Sequence, residues 1–447
     1  MKLFLTISLA FLITSSCFAQ KTSIDSIKPV GIIKGLSDSA LLDVVQRQTF
    51  RYFWDFGHPT SGLARERSNI AYDYGTEVVT TGGSGFGIMA LIVADHRKWI
   101  SHEQAVDRML KIVRFLYKAD AYHGVFPHWM NGETGKIIPF GRKDDGGDLV
   151  ETSYLFEGLL CARQYFTGNN QKEDELRSRI TGLWNDVEWN WYTRDGRDNL
   201  YWHWSPNNGW AMNFAIRGFN ECMITYILAE CGDRYPIPPS VYYNGWAQSD
   251  FFKNGKTFYG HKLPLGFDYG GPLFFSQYSF MGLDPRGLKD SYADYWEQNV
   301  NHTLINHDYC VDNPKHYKGY GPDCWGLTAS DNFEGYNAHS PTNDLGVISP
   351  TAALSAFPYT PEYSMKALRH FYYDLGDKIW GRYGFTDAFS ESHNWYGKSY
   401  LAIDEGPIVV MIENYRSQLL WKLFMSCPEV QHGLKKLGFQ SPALVKN

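Results

Sequence analysis

The stretch Ser37-Asp-Ser-Ala-Leu-Leu-Asp-Val-Val-Gln-Arg-Gln-Thr-Phe-Arg-Tyr-Phe-Trp-Asp-Phe56 opens a series of helical segments. Its apolar residues recur at the spacing of one helix face. They are Leu41, Leu42, Val45, Phe50 and Phe53. Ser37 and Asp38 are both candidates for the N-cap, because a short polar side chain can accept a hydrogen bond from the first turn. The pattern therefore predicts a helix over residues 37–56.

Comparable segments follow along most of the chain, with turn-rich loops between them. Helices are predicted at residues 86–99, 102–118, 148–166, 173–191, 213–229, 292–305, 351–355, 361–375 and 405–424. Strand-like alternation is scarce, and there is no obvious linker within residues 37–440 and no short solenoid repeat. An all-α domain with aromatic loops fits an α/α toroid, a ring of helical hairpins with a cleft at one end. An ordinary helical bundle is the alternative, although a bundle would not need such elaborate loops.

The amino terminus is typical of an export signal. One charge at Lys2, a short apolar core and small residues before Gln20 predict a signal peptide over residues 1–19, cleaved after Ala19. A polar tether is predicted over residues 20–36, before a catalytic domain at 37–440. We expect a soluble periplasmic protein, and a lipid anchor at Cys17 is the alternative. No later run approaches the ~20 apolar residues of a membrane span.

The net charge, the cysteine content and the motifs of the chain limit the kinds of partner and cofactor that it is expected to bind. The formal net charge of −6 argues against nucleic acid and favours a neutral sugar over a polyanionic one. Six cysteines follow the predicted signal peptide, and export permits disulfides whose pairing the sequence does not fix. There is no CxxC, HExxH, P-loop or complete EF-hand motif. We therefore predict no cofactor and no catalytic metal, and leave a loop-bound calcium open.

Glu221 lies in the apolar run Met212-Asn-Phe-Ala-Ile-Arg-Gly-Phe-Asn-Glu-Cys-Met-Ile-Thr-Tyr-Ile-Leu228, which predicts a helix. Apolar neighbours disfavour the ionised carboxylate, so its pKa should rise and allow it to donate a proton near neutral pH. The preceding stretch Tyr201-Trp-His-Trp-Ser-Pro-Asn-Asn-Gly-Trp210 offers flat apolar faces for sugar rings. Together they indicate an acid catalyst in a carbohydrate cleft. The alternative is a buried ion pair between Glu221 and Arg217, one turn earlier.

A second acidic cluster lies in Arg142-Lys-Asp-Asp-Gly-Gly-Asp-Leu-Val-Glu-Thr-Ser-Tyr154. Gly146 and Gly147 break the chain, so a helix should begin near Asp148, with Glu151 on the same face. Capping explains one or two of these acids, but the cluster also contains Asp144 and Asp145. A further pair, Asp404 and Glu405, precedes Pro407, and Glu413 in the next helix is another possible buried acid.

A glycosidase needs a carboxylic acid to protonate the leaving oxygen and a second carboxylate to attack the sugar or activate water. The three acidic groups offer enough carboxylates for both roles. The distance between the two carboxylates decides whether the configuration is retained or inverted, and a sequence contains no distances. The stereochemical outcome therefore stays open on the residues alone.

Six motifs occur in a recognisable order. They are Thr80-Thr-Gly-Gly-Ser-Gly-Phe-Gly87, Val125-Phe-Pro-His-Trp129, Gly147-Asp-Leu-Val-Glu-Thr-Ser153, Phe267-Asp-Tyr-Gly-Gly-Pro-Leu-Phe274, Trp325-Gly-Leu-Thr-Ala-Ser-Asp331 and Gly346-Val-Ile-Ser-Pro-Thr-Ala-Ala353. Over about residues 40–438 the chain resembles the glucoamylase-like domain of glycoside hydrolase family 144. The resemblance implies an (α/α)6 toroid, a neutral β-1,2-glucan substrate and inversion. Its pattern of acids, D-x3-D-x2-E followed by a later Glu, is matched by Asp144, Asp148, Glu151 and Glu221.

We therefore expect a monomeric periplasmic β-1,2-glucan hydrolase with Glu221 as general acid. Asp148, Asp404 and Asp144 are candidates for the base, and Glu151 would orient its neighbours. The candidate sugar contacts are Trp129, His203, Trp204, Trp210, Arg217, Trp395 and Tyr396. The alternatives are a polysaccharide lyase on a similar toroid, a hydrolase of another neutral β-glucan, and a non-catalytic glycan-binding protein. Exo and endo action both remain open.

Overall fold

The computed structural model describes residues 31–68 and 75–444. The predicted signal peptide, the alternative anchor at Cys17 and residues 20–30 of the predicted tether lie outside the described residues. The helices are α1 Asp38–Asp55, α2 Thr81–His96, α3 His102–Leu116, α4 Leu149–Tyr165, α5 Gln171–Asn185, α6 Met223–Cys231, α7 Tyr295–Asp312, α8 Pro350–Leu354, α9 Pro361–Arg369, α10 Gly376–Ile379, α11 Ala402–Ser417, α12 Leu419–Met425 and α13 Pro428–Lys436. Within the described ranges, no helix has the length and apolar character that a membrane crossing requires.

The helices form an inner and an outer layer. Nearly every residue of α2, α4, α6 and α11 is buried, as expected for helices that are covered on all sides. Helix α2 packs against α4 and α11, and α4 also packs against α6 and α12. Helices α3 and α13 instead bury one face each and lie outside. This arrangement is an α/α toroid, and the predicted fold class is confirmed.

Short antiparallel strands decorate the toroid. They are β1 Val78–Thr80, β2 Trp129–Asn131, β3 Ile137–Ile138, β4 Gly147–Asp148, β5 His203–Trp204, β6 Thr257–Phe258, β7 His261–Lys262, β8 Ala329–Asn332, β9 Gly335–Ala338, β10 Trp380–Gly381, β11 Gly384–Phe385, β12 Phe389–Ser390 and β13 Trp395–Tyr396. Strands β1, β2 and β3 form one sheet, and the other strands pair two by two. Because β1 leads into α2 and β4 leads into α4, these strands bring loop residues to the ends of inner helices.

The glycine-rich segment at the start of α2 is helical, whereas the sequence predicted that this helix begins only at residue 86. Its glycines permit close packing on α4. A Cβ at Gly85 would lie 2.1 Å from the carbonyl oxygen of Tyr154, and one at Gly82 would lie 2.4 Å from Oε2 of Glu151. Gly158 on α4 approaches Gly85 in the same way, so the two inner helices meet backbone to backbone.

The predicted helix over residues 213–229 is wrong in its first half, because α6 begins only at Met223. Residues 214–216 are extended instead: the Trp202 amide donates to Phe214 at 3.0 Å, and the Ile216 amide donates to Leu200 at 2.8 Å. Gly218 then adopts a positive φ of 76°, which ends the extended segment. Glu221 therefore lies in the turn before α6, not inside a helix.

Several other predicted boundaries also differ. The prediction for 405–424 spans two helices, since Gln418 has a φ of 64° and separates α11 from α12. The prediction for 173–191 ends too late, because α5 stops at Asn185 and a 3-10 turn follows at Trp189–Thr193. Helix α13 was missed. The prediction for 37–56 is confirmed with Ser37 as N-cap, its side chain accepting from the Ala40 amide.

Candidate active site

Four of the predicted acids lie together at one end of the toroid. Asp148 is the N-cap of α4 and Glu151 lies in its first turn. Strand β5 pairs with β4 so that His203 stands opposite Asp148. Asp144 precedes β4 in the chain, and Glu221 is near enough for the charges of Asp148 and Glu151 to act on it. One end of the ring thus carries four carboxyl groups and a histidine.

Asp148 is fully buried and has both carboxylate oxygens occupied. Its Oδ1 accepts from the amides of Val150 at 3.1 Å and Glu151 at 3.0 Å, while its Oδ2 lies 2.9 Å from Nδ1 of His128. Burial alone would raise the pKa of Asp148. The hydrogen bond from His128 and the positive charges of His203 and His128 outweigh burial, and the pKa is lower than usual. Asp148 is therefore ionised at neutral pH.

His128 and Glu151 are two further ionisable residues of the site. Burial would lower the pKa of His128, but the charges of Glu151 and Asp148 raise it to about 9. The imidazole is thus protonated at neutral pH. Oε2 of Glu151 accepts from the Gly82 amide at 2.8 Å. Burial raises the pKa of Glu151, and the neighbouring Asp148 adds to this effect although His128 opposes it.

Asp144 and His203 form the second ion pair of this cluster, with Oδ1 and Nδ1 3.2 Å apart. Burial would lower the pKa of His203, but Asp144 and Asp148 raise it above the usual value. Asp145 points away from this pair, since its carboxylate accepts from Asn207 at 2.8 Å and Asn208 at 3.0 Å. Asp144 therefore belongs to the cluster, whereas Asp145 fixes a neighbouring loop.

Glu221 has the properties of a proton donor. Burial raises its pKa to about 7, and the negative charges of Glu151 and Asp148 contribute further. Its Oε2 is buried and has no hydrogen-bond partner among the described residues. The backbone is fixed, because the carbonyl oxygen of Glu221 accepts from Oγ of Ser279 at 2.5 Å. Arg217 is exposed, and no ion pair joins it to Glu221 within the described ranges.

A second group of buried carboxyl groups surrounds the start of α11. Asp404 is only 2% exposed, and apart from the neighbouring Asp387 carboxyl group its carboxyl oxygens have no hydrogen-bond partner within residues 31–68 and 75–444. Asp404 lies in the first turn of α11, whose N-cap position is Leu401. It is close enough to Asp387 for a hydrogen bond between the two carboxyl groups. Burial raises the pKa of both groups, and Asp404 raises that of Asp387 further, whereas the hydrogen bond from Asp387 lowers that of Asp404.

Asp331 joins this second group to a buried arginine. Oδ2 of Asp387 accepts from the Asp331 amide at 2.7 Å. The Asp331 carboxylate pairs with Nη1 of Arg67 at 3.1 Å and accepts from Oγ of Ser399 at 2.5 Å. Nε of Arg67 binds Glu66 at 2.8 Å. Arg67 is thus held between two carboxylates, and burial still raises the pKa of Glu66.

A pocket of about 270 Å³ lies between the two groups of acids. Its polar lining includes Glu66, Arg67, His128 and Glu151, and its aromatic lining is Trp129, Phe140 and Tyr336. The rings of His128 and Phe140 stack at 4.1 Å, and Trp129 meets Phe140 edge-on at 4.8 Å. The volume is below the usual range for drug-sized ligands, which suits a single sugar unit between an aromatic wall and polar groups.

The other predicted aromatic platforms lie outside this pocket. Trp204 follows His203 on β5 and so points to the other face, where its ring lies 5.0 Å from His123. Trp210 packs 5.9 Å from Tyr192. Trp395 and Tyr396 form β13, where Nζ of Lys378 donates to the Tyr396 hydroxyl at 3.0 Å. Of the predicted platforms, Trp129 alone lines the pocket.

Several pocket residues were not among the predicted site residues. They are Glu66, Arg67, His128, Phe140 and Tyr336, and Asp331 and Asp387 support them. The sequence contained a signal for two of these seven, because His128 and Asp331 each lie in a motif that carries the family resemblance. The other five have no local pattern that separates them from ordinary loop residues.

Two groups of three side chains place potential metal ligands within 4.8 Å of one another: Asp144, Asp148 and His203, and His58, Glu77 and Glu133. In the first group the raised pKa of His203 favours the imidazolium, which cannot coordinate a metal. In the second, Nδ1 of His58 accepts from the Thr60 amide at 3.3 Å, so Nε2 carries the proton and donates to Glu77 at 2.9 Å. The first group thus contains an ion pair and the second a hydrogen-bonded pair.

An α/α toroid with a carboxyl-lined pocket and a buried acid such as Glu221 beside it has the architecture of a glycoside hydrolase. Comparison with known proteins agrees. The family model described as "Putative glucoamylase" matches residues 213–428. A crystal structure from Bacteroides uniformis with the same description is 62% identical, with a TM-score of 0.90 over 92% of this chain and 100% of that one. An endo-β-1,2-glucanase from Chitinophaga pinensis, crystallised with sophorotriose and glucose, is 60% identical, with a TM-score of 0.90 over 92% and 100%.

A curated relative from Parabacteroides distasonis is an exo β-1,2-glucooligosaccharide sophorohydrolase acting at the non-reducing end. It is 46% identical over 95% of this chain, and the chain spans 61% of that relative's length. The chain belongs to glycoside hydrolase family 144, as its motifs indicated.

Proposed function

We propose that this protein hydrolyses β-1,2-glucan with inversion and releases sophorose or short β-1,2-glucooligosaccharides. The observation that carries the proposal is Glu221, a carboxyl group with a pKa near 7 and an unpartnered oxygen, in a family whose relatives are named for this substrate. A neutral polymer also suits the pocket, where each charged group already has a partner of opposite charge or a raised pKa.

Glu221 is proposed as the general acid. At a pH below about 7 its carboxyl group keeps the proton that the leaving glycosidic oxygen needs. As the bond breaks, positive charge develops on the sugar ring, and the ionised Glu221 and Asp148 stabilise it. Asp148 has no free oxygen for a proton, so we assign it a positioning role: it holds His128 and the start of α4 in place.

Asp404 is proposed as the general base. Two facing carboxyl groups cannot both ionise easily, so Asp387 and Asp404 share one proton and keep one negative charge at neutral pH. Such a pair can accept a proton from the attacking water, as the dyad of aspartic proteases does. The oxygens of Asp404 are free of other donors within the described ranges, which supports this role over Asp148. Asp144, the third candidate, is engaged with His203.

Sugar contacts are proposed for the pocket itself. Trp129 and Phe140 supply the apolar wall, and Glu66 with Arg67 supplies donors and acceptors for ring hydroxyls. Glu151 anchors the helix pair through Gly82 and keeps the local charge that holds the proton on Glu221. His203 holds Asp144 in place through their ion pair. Arg217 is exposed, so it could contact a longer substrate.

The experiment is incubation of the purified protein with linear β-1,2-glucan, with products resolved by chain length over time. Sophorose alone from the first time point would establish exo action, and a spread of longer oligomers would establish endo action. An absence of products, with hydrolysis of another neutral β-glucan, would overturn the substrate. Products that absorb in the ultraviolet would identify a lyase instead. Polarimetry on the first turnover distinguishes inversion from retention.

Export to the periplasm and a monomeric state remain predictions. Cleavage after Ala19 is checked by sequencing the amino terminus of protein secreted by a bacterial host, since a lipoprotein would instead begin at a modified Cys17. Light scattering on the purified chain gives its oligomeric state.

A further inference from the structure

A row of aromatic rings leads from the interior of the toroid to its surface. The ring of Tyr278 lies 5.7 Å from Tyr154, whose hydroxyl donates to the carbonyl oxygen of Glu221 at 3.5 Å. Phe274 lies 5.0 Å from Tyr278, and Phe275 lies 4.8 Å from Phe274. The row therefore begins beside the proposed acid.

The outer half of the row is open to solvent. Phe267 lies 6.2 Å from Phe275, and Phe251 stacks on Phe267 at 5.1 Å with an angle of 21° between the rings. Phe274 and Phe275 are half-buried, Phe267 is 36% exposed and Phe251 is 64% exposed. We call Phe274, Phe275, Phe267 and Phe251 the phenylalanine track.

The conformation of Phe251 is costly in two ways. Its ring is mostly in water, and its backbone has a φ of 62°, which bulky residues rarely adopt. Packing does not require either feature. Glycine could adopt this φ without strain, and a polar residue could occupy the exposed position without placing an apolar ring in water. Strained and exposed aromatic residues concentrate at functional sites.

The track is tied to the segment that carries Glu221. The amide of Phe219 donates to the carbonyl oxygen of Phe251 at 3.2 Å, and the Gly218 amide donates to Oγ of Ser249 at 2.8 Å. A Cβ at Gly218 would lie 3.4 Å from Cβ of Phe251, so the exposed Arg217 borders the track. An apolar surface with a hydrogen-bond donor at its edge has the chemistry that binds a sugar chain.

We propose that the phenylalanine track binds the glucosyl units of a β-1,2-glucan chain that extend beyond the pocket. The proposal rests on the proposed function and extends it to long substrates. The ring faces would stack on the apolar faces of successive sugars, and Arg217 would bind their hydroxyls. The track should make the protein prefer a polymer over a short oligosaccharide, because a polymer has units left over for the track once the pocket is filled.

The test measures binding, so that no turnover is required. The Glu221→Gln protein is titrated by calorimetry with linear β-1,2-glucan and with a β-1,2-linked tetrasaccharide. The same titrations follow with Phe251→Ala and Phe267→Ala added. Two ring contacts with the sugar chain are then lost, so the ratio of the two affinities should fall about tenfold. Tyr415→Ala is the matched control: Tyr415 is 44% exposed and lies outside the track, so the ratio should not change.

An unchanged ratio in the double variant would overturn the track while leaving the proposed function intact. Loss of a dimer in the double variant, seen by light scattering, would overturn it as well, because the rings would then form a contact between two copies of the chain. Failure of every protein to bind β-1,2-glucan would overturn the proposed function and the track with it. If Phe267→Ala lowers the melting temperature, Phe251→Ala alone carries the test, since its ring is mostly in solvent.

Discussion

Oδ2 of Asp148 lies 2.9 Å from Nδ1 of His128, and this pair sets the charge at the bottom of the pocket. The pair is held by the start of α4 on one side and by the His128–Phe140 ring stack on the other. Because His128 keeps Asp148 ionised, the negative charge that raises the pKa of Glu221 persists at the working pH. The acid is therefore tuned by a neighbour that need not touch the substrate.

Replacing His128 with Asn keeps a donor beside Asp148 but removes the positive charge. The pKa of Asp148 should rise, since the hydrogen bond and charge of His128 lower it. An ionised Asp148 is required, so activity is lost as the pH falls through this pKa, and the acid limb of the pH–rate profile should move to higher pH. We expect kcat at neutral pH to fall about tenfold or more. His370, which pairs with Asp374 at 2.9 Å on the surface, is the control: His370→Asn should leave the profile unchanged. An acid limb that stays in place in the His128 variant would contradict this account.

The alkaline limb of the wild-type pH–rate profile should reflect the loss of the proton from Glu221. Its protonated form is the active one, and its pKa is raised to about 7, so kcat/KM should fall as the pH rises above 7. The fall should approach tenfold per pH unit when one group titrates. The measurement is the initial rate on β-1,2-glucan between pH 4 and 10, a range set by about three units on either side of that pKa. A profile that is flat to pH 9 would exclude Glu221 as the titrating acid.

Substitutions of Asp404 and Asp387 should affect the rate in different ways. Asp404→Asn should lower kcat by about 10²- to 10⁴-fold, because the proposed base is lost. Sodium azide should restore part of the rate by replacing the activated water. Asp387→Ala should cost less and should move the acid limb to higher pH, because the hydrogen bond from Asp387 lowers the pKa of Asp404 and this variant removes it.

Asp374→Asn, a surface change, is the control for this pair. Azide rescue of Asp148→Asn in place of Asp404→Asn would transfer the role of base to Asp148.

A substitution at Gly85 tests the contact between α2 and α4 that supports the site. A Cβ at this position would lie 2.1 Å from the backbone of Tyr154, which cannot move without displacing α4. Gly85→Ala should therefore destabilise the fold by about 2 kcal/mol or more in urea unfolding. At Gly141 the nearest atom to an added Cβ is 3.8 Å away, so Gly141→Ala should change stability by less than about 0.5 kcal/mol. Equal stability of the two variants would show that α2 and α4 can separate freely.

Local chemistry made part of this structure predictable. The cap of α1 at Ser37 and the start of α4 at Asp148 follow from a polar residue before an apolar helical pattern, because capping involves residues only a few positions apart. The grouping of Asp148 with Glu151 follows from helical periodicity. The position of Asp404 in the first turn of α11 agrees with its place just before Pro407.

The remaining features depend on distant pairings. The segment before Glu221 is apolar enough for a helix, yet residues 214–216 pair with residues 200–202, and local propensity gives way to that pairing. Asp387 and Asp404 meet across a chain separation that includes one short strand pair, β12 with β13. Arg67 reaches Asp331 from the other end of the chain. No local pattern in the sequence encodes such contacts, so the grouping of Asp404 with Asp387 and Asp331 was visible only in the folded protein.

Glu221 is proposed to donate the proton to the leaving oxygen, and a substrate whose leaving group needs no proton tests this role. The measurement is kcat for wild type and Glu221→Gln on linear β-1,2-glucan and on a dinitrophenyl β-sophoroside, whose leaving group needs no proton. Glu157→Gln is the matched control, since Glu157 is also a buried acid with a raised pKa but lies away from the pocket, where it accepts from the Gly282 amide at 2.7 Å. The account predicts that Glu221→Gln loses about 10³-fold on the glucan and at most about tenfold on the aryl glycoside. An equal loss on both substrates, or an undiminished rate on the glucan, would contradict it.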